Sequence, residues 1–294
     1  MNFVTHLRVV GDVHGHFQFY EKTVKDIPCS IQIGDMGLDY AGFPKLDPSR
    51  HVFIGGNHED YTLKERPDIA LDDPAILQPG SKLTVVRPTE NFYIPEDEKY
   101  KIYLKEYVPD FEEPTVCEFT NMPENCLGNF GAWQIPDTNE SMFYVRGAWS
   151  IDGPSRRKND WGWHVREQLS PKECEAALKC YEETKPNFVI THAAPMSVMS
   201  NLRLYLSDGR SIASATNRLL QFMFEAHQPK VWVFGHFHQH WQGEIGGTKF
   251  VCLDAFPNYE YGWTLDFDER LSAIGFDLHE PWNNPGPTSL PTHL

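Results

Sequence analysis

Five short polar blocks, each placed where a buried apolar run ends, constrain this chain more than any other feature. They are Gly11-Asp12-Val13-His14-Gly15, Gly34-Asp35-Met36-Gly37, Gly55-Gly56-Asn57-His58-Glu59, Thr191-His192 and Gly235-His236-Phe237-His238. The runs before them, 7–10, 29–33, 51–54, 188–190 and 230–234, read as strands. Helical patterns lie between several of them, and that rhythm predicts an α/β fold with largely parallel sheets. Ligands of such sheets gather at the carboxyl ends of the strands, so the blocks are expected on one rim. Glycines beside most blocks permit the sharp turns this requires.

The donor set suits divalent cations. Asp12 and His14 are two positions apart, as are His236 and His238, so in extended geometry both members of each pair point the same way. Asp35, Asn57 and His192 each follow a strand of their own, and a carboxylate placed like Asp35 can bridge two ions. Oxygen and imidazole donors without thiolate fit Mn, Fe, Zn, Co or Ni, with Mn taken foremost, and argue against a structural Cys-type zinc site. Two such ions 3.5–4 Å apart clamp a phosphoryl group and generate a nucleophile at neutral pH, at roughly those spacings in known two-metal sites.

In order and without a missing ligand, Asp-x-His, Gly-Asp, Gly-Asn-His-Glu, a lone His and Gly-His-x-His resemble the calcineurin-like metallophosphoesterases, over roughly Arg8 to Asp254. The resemblance implies a four-layer α/β/β/α sandwich of two mixed β-sheets. It implies that Asp12, His14, Asp35 and His238 hold one metal, and that Asp35, Asn57, His192 and His236 hold the other. His58 would contact the scissile phosphate as the catalytic residue, with Glu59 or Asp60 available to orient it. Metal-activated hydroxide would then hydrolyse a phosphate mono- or diester.

The segment Arg146-Gly147-Ala148-Trp149-Ser150-Ile151-Asp152, followed by Arg156, Arg157 and Trp161, looks like the single-domain members of bacteria and phages. Arg146 and Arg156, with Asn57, are the candidate substrate contacts, because a guanidinium grips phosphate with a planar fork. Relatives closest to calcineurin itself carry Asp-Arg-Gly after the second block. Here the residues are Gly37-Leu38-Asp39-Tyr40, which points away from a protein Ser/Thr phosphatase. A nuclease or cyclic-nucleotide phosphodiesterase is the alternative enzyme, and a non-catalytic interaction scaffold the alternative of another class. The expected partners are a phosphorylated small molecule, nucleotide or phosphopeptide.

The formal net charge of −15 disfavours long nucleic acids, since such binding depends on cationic neutralisation of phosphates. No apolar run is long enough to span a membrane, and the first residues lack a basic flank and an apolar h-region, which points to the cytoplasm. The six cysteines form no Cys-x-x-Cys pair and read as reduced core thiols. One domain is expected over 1–280, with 60–145 as an elaboration or cap and 281–294 as a loose tail. Inside that elaboration, 130–135 and 141–145 read as a hairpin, and 100–107 as a strand or short helix. Ser170-Pro171-Lys172-Glu173 announces a capped helix, and a second amphipathic helix is expected over 211–226.

Overall fold

The computed structural model describes residues 6–86, 114–153, 156, 159, 164–202, 214–256, 262–267 and 273–274. Its framework is a pair of mixed sheets. The first has five strands in the order Ala273–Ile274 (β14), Thr264–Phe267 (β13), Leu7–Val10 (β1), Cys29–Gln32 (β2) and His51–Phe53 (β3). Within it β1, β2 and β3 run parallel, and β13 pairs antiparallel to β1. The second has six, in the order Trp241–Ile245 (β11), Thr248–Cys252 (β12), Val231–Phe234 (β10), Phe188–Thr191 (β9), Ser141–Val145 (β8) and Phe130–Gln134 (β7). Its four central strands are parallel and both edge strands antiparallel.

The sequence explains this burial. Strands covered on both faces carry continuous apolar runs rather than alternation. Accordingly Phe188-Val189-Ile190-Thr191 and Val231-Trp232-Val233-Phe234 are buried at every position. One core cluster joins Leu7, Val9, Ile31 and Val52 of the first sheet to Met142, Ile190, Val233 and Val251 of the second. A second cluster sets Val189, Trp232 and Phe250 against Ala177, Tyr181, Leu220 and Met223 of two helices. A third places Val10 and Phe53 against Phe17, Tyr20 and Val24 of the Phe17–Val24 helix (α1).

The helix Pro171–Thr184 (α2) begins as expected. Ser170 Oγ accepts from the Glu173 N–H, and the Glu173 carboxylate accepts from the Ser170 N–H at 2.7 Å. The short Met196–Met199 helix (α3) follows β9. The later amphipathic helix (α4) runs Ala215–Ala226 with Ser214 as its cap, so it begins after the expected Ser211. Ser214 Oγ accepts from the Asn217 N–H, and the Asn217 side chain returns to the Ser214 N–H, closing the helix start at that point.

The 60–145 stretch divides. Its hairpin, β7 with β8, is part of the six-stranded sheet, with β8 bonded parallel to β9. Residues 130–145 therefore belong to the main framework rather than to a cap. Leu63–Glu65 (β4), Thr115–Phe119 (β6) and Leu83–Val86 (β5) form a separate three-stranded antiparallel sheet. The expectations at 100–107 and for the 281–294 tail lie outside the described residues. All six cysteines are free thiols, four of them buried. No described helix is long and apolar enough to cross a membrane.

Candidate metal centre

The blocks are stitched together before any side chain is considered. The Val13 and His14 N–H groups donate to the Asp35 carbonyl at 3.0 and 2.8 Å, and Gly235 N–H donates to His192 O at 3.1 Å. The His236 N–H reaches the Asp12 carboxylate at 3.2 Å, tying the end of β10 to the end of β1. Gln32 sits buried behind the first two blocks. Its Nε2 donates to Gly11 O, and its Oε1 accepts from Gly34 N–H, both at 3.1 Å.

Glu59 performs the matching task for the second and third blocks. Its buried carboxylate accepts from Met36 N–H at 2.9 Å, Gly56 N–H at 3.1 Å and Tyr40 Oη–H at 2.6 Å. Burial, with the Asp35 charge nearby, pushes its pKa up to about 8 against these bonds. Glu59 therefore holds the turns on either side of Asp35 and does not orient His58.

The backbone is bent hard at the donors. Among the described residues, six non-glycine residues have positive φ, and four of them are His14, Asp35, His236 and His238. Non-glycine residues in that region are uncommon and persist where surroundings over-determine them. Close approach also leaves no room at the flanking glycines. A Cβ on Gly34 would collide with the His192 ring, one on Gly235 with Asp12 Oδ1, and one on Gly56 with Asp35 Oδ1 and N. Gly56→Ala is thus expected to cost about 2 kcal/mol or more, as overpacking does. Urea unfolding measures this; a variant as stable as wild type would show that the turn yields freely.

Two groupings of side chains could each hold an ion. Asp12, His14, Asp35 and His238 form one, and Asp35, His192 and His236 the other, with ligand atoms within 4.8 Å inside each group. Asp35 belongs to both. In the first, His14 Nε2 and His238 Nε2 are 3.1 Å apart, and His238 Nε2 is 3.2 Å from Asp12 Oδ2. In the second, His192 Nε2 lies 3.1 Å from Asp35 Oδ1 and 3.0 Å from Asn57 Oδ1. His192 Nδ1 faces the Ile33 carbonyl at 2.9 Å, which can only accept, so Nδ1 carries a proton. As the protonated ring favoured by a pKa of about 9 when no ion is bound, His192 donates from Nε2 to these oxygens. Without that proton it would aim a lone pair at the same point as the two acceptors. A cation satisfies such a convergence, and the donor chemistry fits one.

Charge in the cluster agrees. Burial works to raise the Asp35 pKa, yet His192, with His58 and His14 farther off, holds it well below the usual carboxylate range. Burial likewise works to lower His192, but Asp35 and Asp12 more than reverse it and raise its pKa. Desolvation and the neighbouring His192 push half-buried His236 down to about 3. The buried carboxylates demand positive charge between them.

His58 stands apart from both groupings. Its backbone N–H donates to Asp35 Oδ1 at 2.7 Å, while its half-exposed ring lies 5.5 Å from that of His14. The carboxylate facing it is Asp152, at 3.9 Å from Nε2. Asp60 instead accepts from Thr62 and Asn121. Desolvation lowers the His58 pKa, with Asp35 acting in the opposite sense.

Both candidate arginines are buried. Arg146 is fully buried; its Nε donates to Asn129 Oδ1 at 2.7 Å and its Nη1 to Arg166 O at 2.6 Å. The guanidinium packs over the rings of Tyr61 and Phe119, which makes it core rather than a solvent-facing phosphate grip. Arg156 is buried as well, 2.9 Å from both Glu167 Oε1 and Ser150 Oγ. Arg157, Trp161, Arg203 and Arg210 lie outside the described residues.

Ser150 and Asp152 stand in the 146–152 segment without a site role in the sequence reading, and Glu167 stands outside that reading. A signal existed: 146–152 follows β8, which is parallel to β9, so it is a sixth polar block behind a strand on the same edge.

The sequence profile of the calcineurin-like phosphoesterases matches residues 5–240, which contain all five blocks. The chain belongs to that family. The chain matches no curated protein sequence significantly. Among solved structures, this calcineurin-like phosphoesterase is similar to a phosphopantetheinyl hydrolase from Mycobacterium tuberculosis, at 13% identity and a TM-score of 0.40, covering 95% of this chain and 99% of that one. It is also similar to a predicted phosphoesterase from Streptococcus pneumoniae TIGR4, at 9% identity and a TM-score of 0.31, covering 90% and 83%. A putative 5'-nucleotidase from Staphylococcus aureus is matched at 12% identity and a TM-score of 0.36, covering 91% of this chain and 52% of that one. Likenesses this distant carry no argument about substrate.

Proposed function

We propose that this chain is a dinuclear-metal phosphoesterase, hydrolysing a phosphate mono- or diester. The observation that carries the reading is the sharing of Asp35 between two ligand groupings at one edge of the two sheets. Asp12, His14, Asp35 and His238 would hold one ion; Asp35, Asn57, His192 and His236 would hold the other. Mn suits this oxygen and imidazole set without thiolate. When bound, the pair would supply Lewis acidity to the phosphoryl group and a nucleophile at neutral pH.

The chain's own groups do the rest. Asp12 and Asp35 fix the position of positive charge, and the His192 Nδ1–H bond to Ile33 O keeps Nε2 free to coordinate. His58, outside both groupings and half-exposed, would be the residue that touches substrate, hydrogen-bonding the phosphoryl oxygens or the departing alcohol. The four-layer arrangement belongs to the same proposal: helices of two clusters would cover the outer faces of a sandwich whose inner cluster joins the two sheets.

The test is hydrolysis of aryl phosphate monoesters and diesters by protein loaded with two Mn per chain, with turnover abolished by chelation and restored by Mn. Protein that holds two Mn yet hydrolyses neither class of ester would end the enzymatic reading. Adding cyclic nucleotides and phosphopeptides to the panel names the substrate class.

A further inference from the structure

The amide of Asn57 has two faces, and only its oxygen can coordinate a cation. Asn57 Oδ1 faces His192 Nε2 at 3.0 Å, and Nδ2 faces Ser150 Oγ at 2.8 Å. The surroundings of Ser150 decide this orientation. Its hydroxyl has one proton and touches three groups: Asn57, the Arg156 guanidinium at 2.9 Å and the Glu167 carboxylate. A guanidinium can only donate, and the carboxylate is the acceptor of the three. Burial pushes the Glu167 pKa up to about 8, and the Arg156 guanidinium at 2.9 Å opposes this by favouring the carboxylate. In that ionised form the Ser150 proton goes to Glu167, and Ser150 is left as an acceptor toward Asn57. An acceptor there requires the NH2 of Asn57, which turns the carbonyl oxygen toward His192.

All the members are built in. Ser150, Arg156, Glu167 and Asn57 are each at most 3% exposed. Arg156 Nη2 pairs with Glu167 Oε1 at 2.9 Å, and the His164 N–H donates to the same oxygen at 3.2 Å, so the carboxylate cannot turn away from Ser150. Arg156 also donates to the Asn57 carbonyl at 3.3 Å, fixing the backbone from which the amide projects. The reversed amide would present N–H in place of a lone pair toward His192 Nε2, and an amide N–H cannot coordinate an ion.

We propose that Ser150 and Glu167 are positioning residues that set the Asn57 amide oxygen-first and thereby set the affinity of the His192–His236 position for its cation. The inference rests on the two-cation reading above and concerns one of the two positions only.

Mn titration of the intact protein, followed by calorimetry without substrate, tests it. Ser150→Ala is expected to weaken one of the two Mn sites about 10–100-fold, the range typical of residues supporting a ligand, and to leave the other unchanged. Glu167→Gln, whose amide can donate to Ser150 and so reverse the chain, is expected to act the same way. Circular dichroism melting shows that each variant is folded. In an Asn57→Asp background either face presents oxygen, so Ser150→Ala should then cost less than about threefold, a non-additivity that a merely structural serine would not produce. Unchanged Mn affinities in Ser150→Ala and Glu167→Gln, or equal losses in both backgrounds, overturn the inference while leaving the two-cation reading intact. A wild-type chain that binds fewer than two Mn overturns both.

Discussion

Replacing Asp35 by asparagine is expected to strip both cations from the protein and to lower kcat/KM for an aryl phosphate by more than about 1000-fold. Asp35 is the one side chain common to both ligand groupings, so a single substitution removes a donor from each. The change is isosteric, and the bond from the His58 N–H can persist to the amide oxygen, so the second block should keep its turn. What is lost is the buried negative charge that His192 neutralises when no ion is present. Two cations each contribute several kcal/mol of transition-state stabilisation, which sets the size of the effect. Elemental analysis beside turnover is the check. Two Mn per chain in Asp35→Asn, with turnover near wild type, would mean that Asp35 does not bridge.

The His58→Ala variant should behave in the opposite way: metal content stays at two, and kcat falls about 100- to 10000-fold, the range for a group that moves or shares a proton in the transition state. The His58 ring contributes no atom to either grouping, and its one bond to the centre is made by a backbone N–H that alanine retains. The loss should shrink for esters with acidic leaving groups, which need less help to depart. A variant that lost a metal ion would place the imidazole among the ligands.

The centre was the most legible part of this chain, because the physics that makes it also writes it into the sequence. A parallel strand buried on both faces needs an unbroken apolar run, so a polar block after Val10, Gln32, Phe53, Thr191 or Phe234, glycine-flanked in all but the Thr191 case, stands out. The central strands of the main framework were legible for the same reason, and the helix after Ser170 by its capping box; the edge strand Trp241–Ile245, with no buried residue, was not. Nor was the three-stranded sheet. Its strand Leu63–Glu65 has no buried residue, and Leu83–Val86 and Thr115–Phe119 are only partly buried. Arg146 misled because an arginine reads as exposed. Here it follows Phe143, Tyr144 and Val145 into the core, where Tyr61, Phe119 and Asn129 receive it. Ser150 lies in the polar block after β8, but the role proposed for it with Glu167 depends on a hydroxyl proton that no linear spacing encodes.

The division of ligands between the sheets has a mechanical consequence. Asp12, Asp35 and Asn57 follow strands of the five-stranded sheet, whereas His192, His236 and His238 follow strands of the six-stranded one. Each grouping takes members from both. An ion in either position would therefore act as a rivet through the seam between the sheets, and its binding energy would add to their adhesion. Neither sheet can assemble a position alone, so such rivets could be set only after the two halves of the chain, 226 residues apart in the case of Asp12 and His238, have closed on each other.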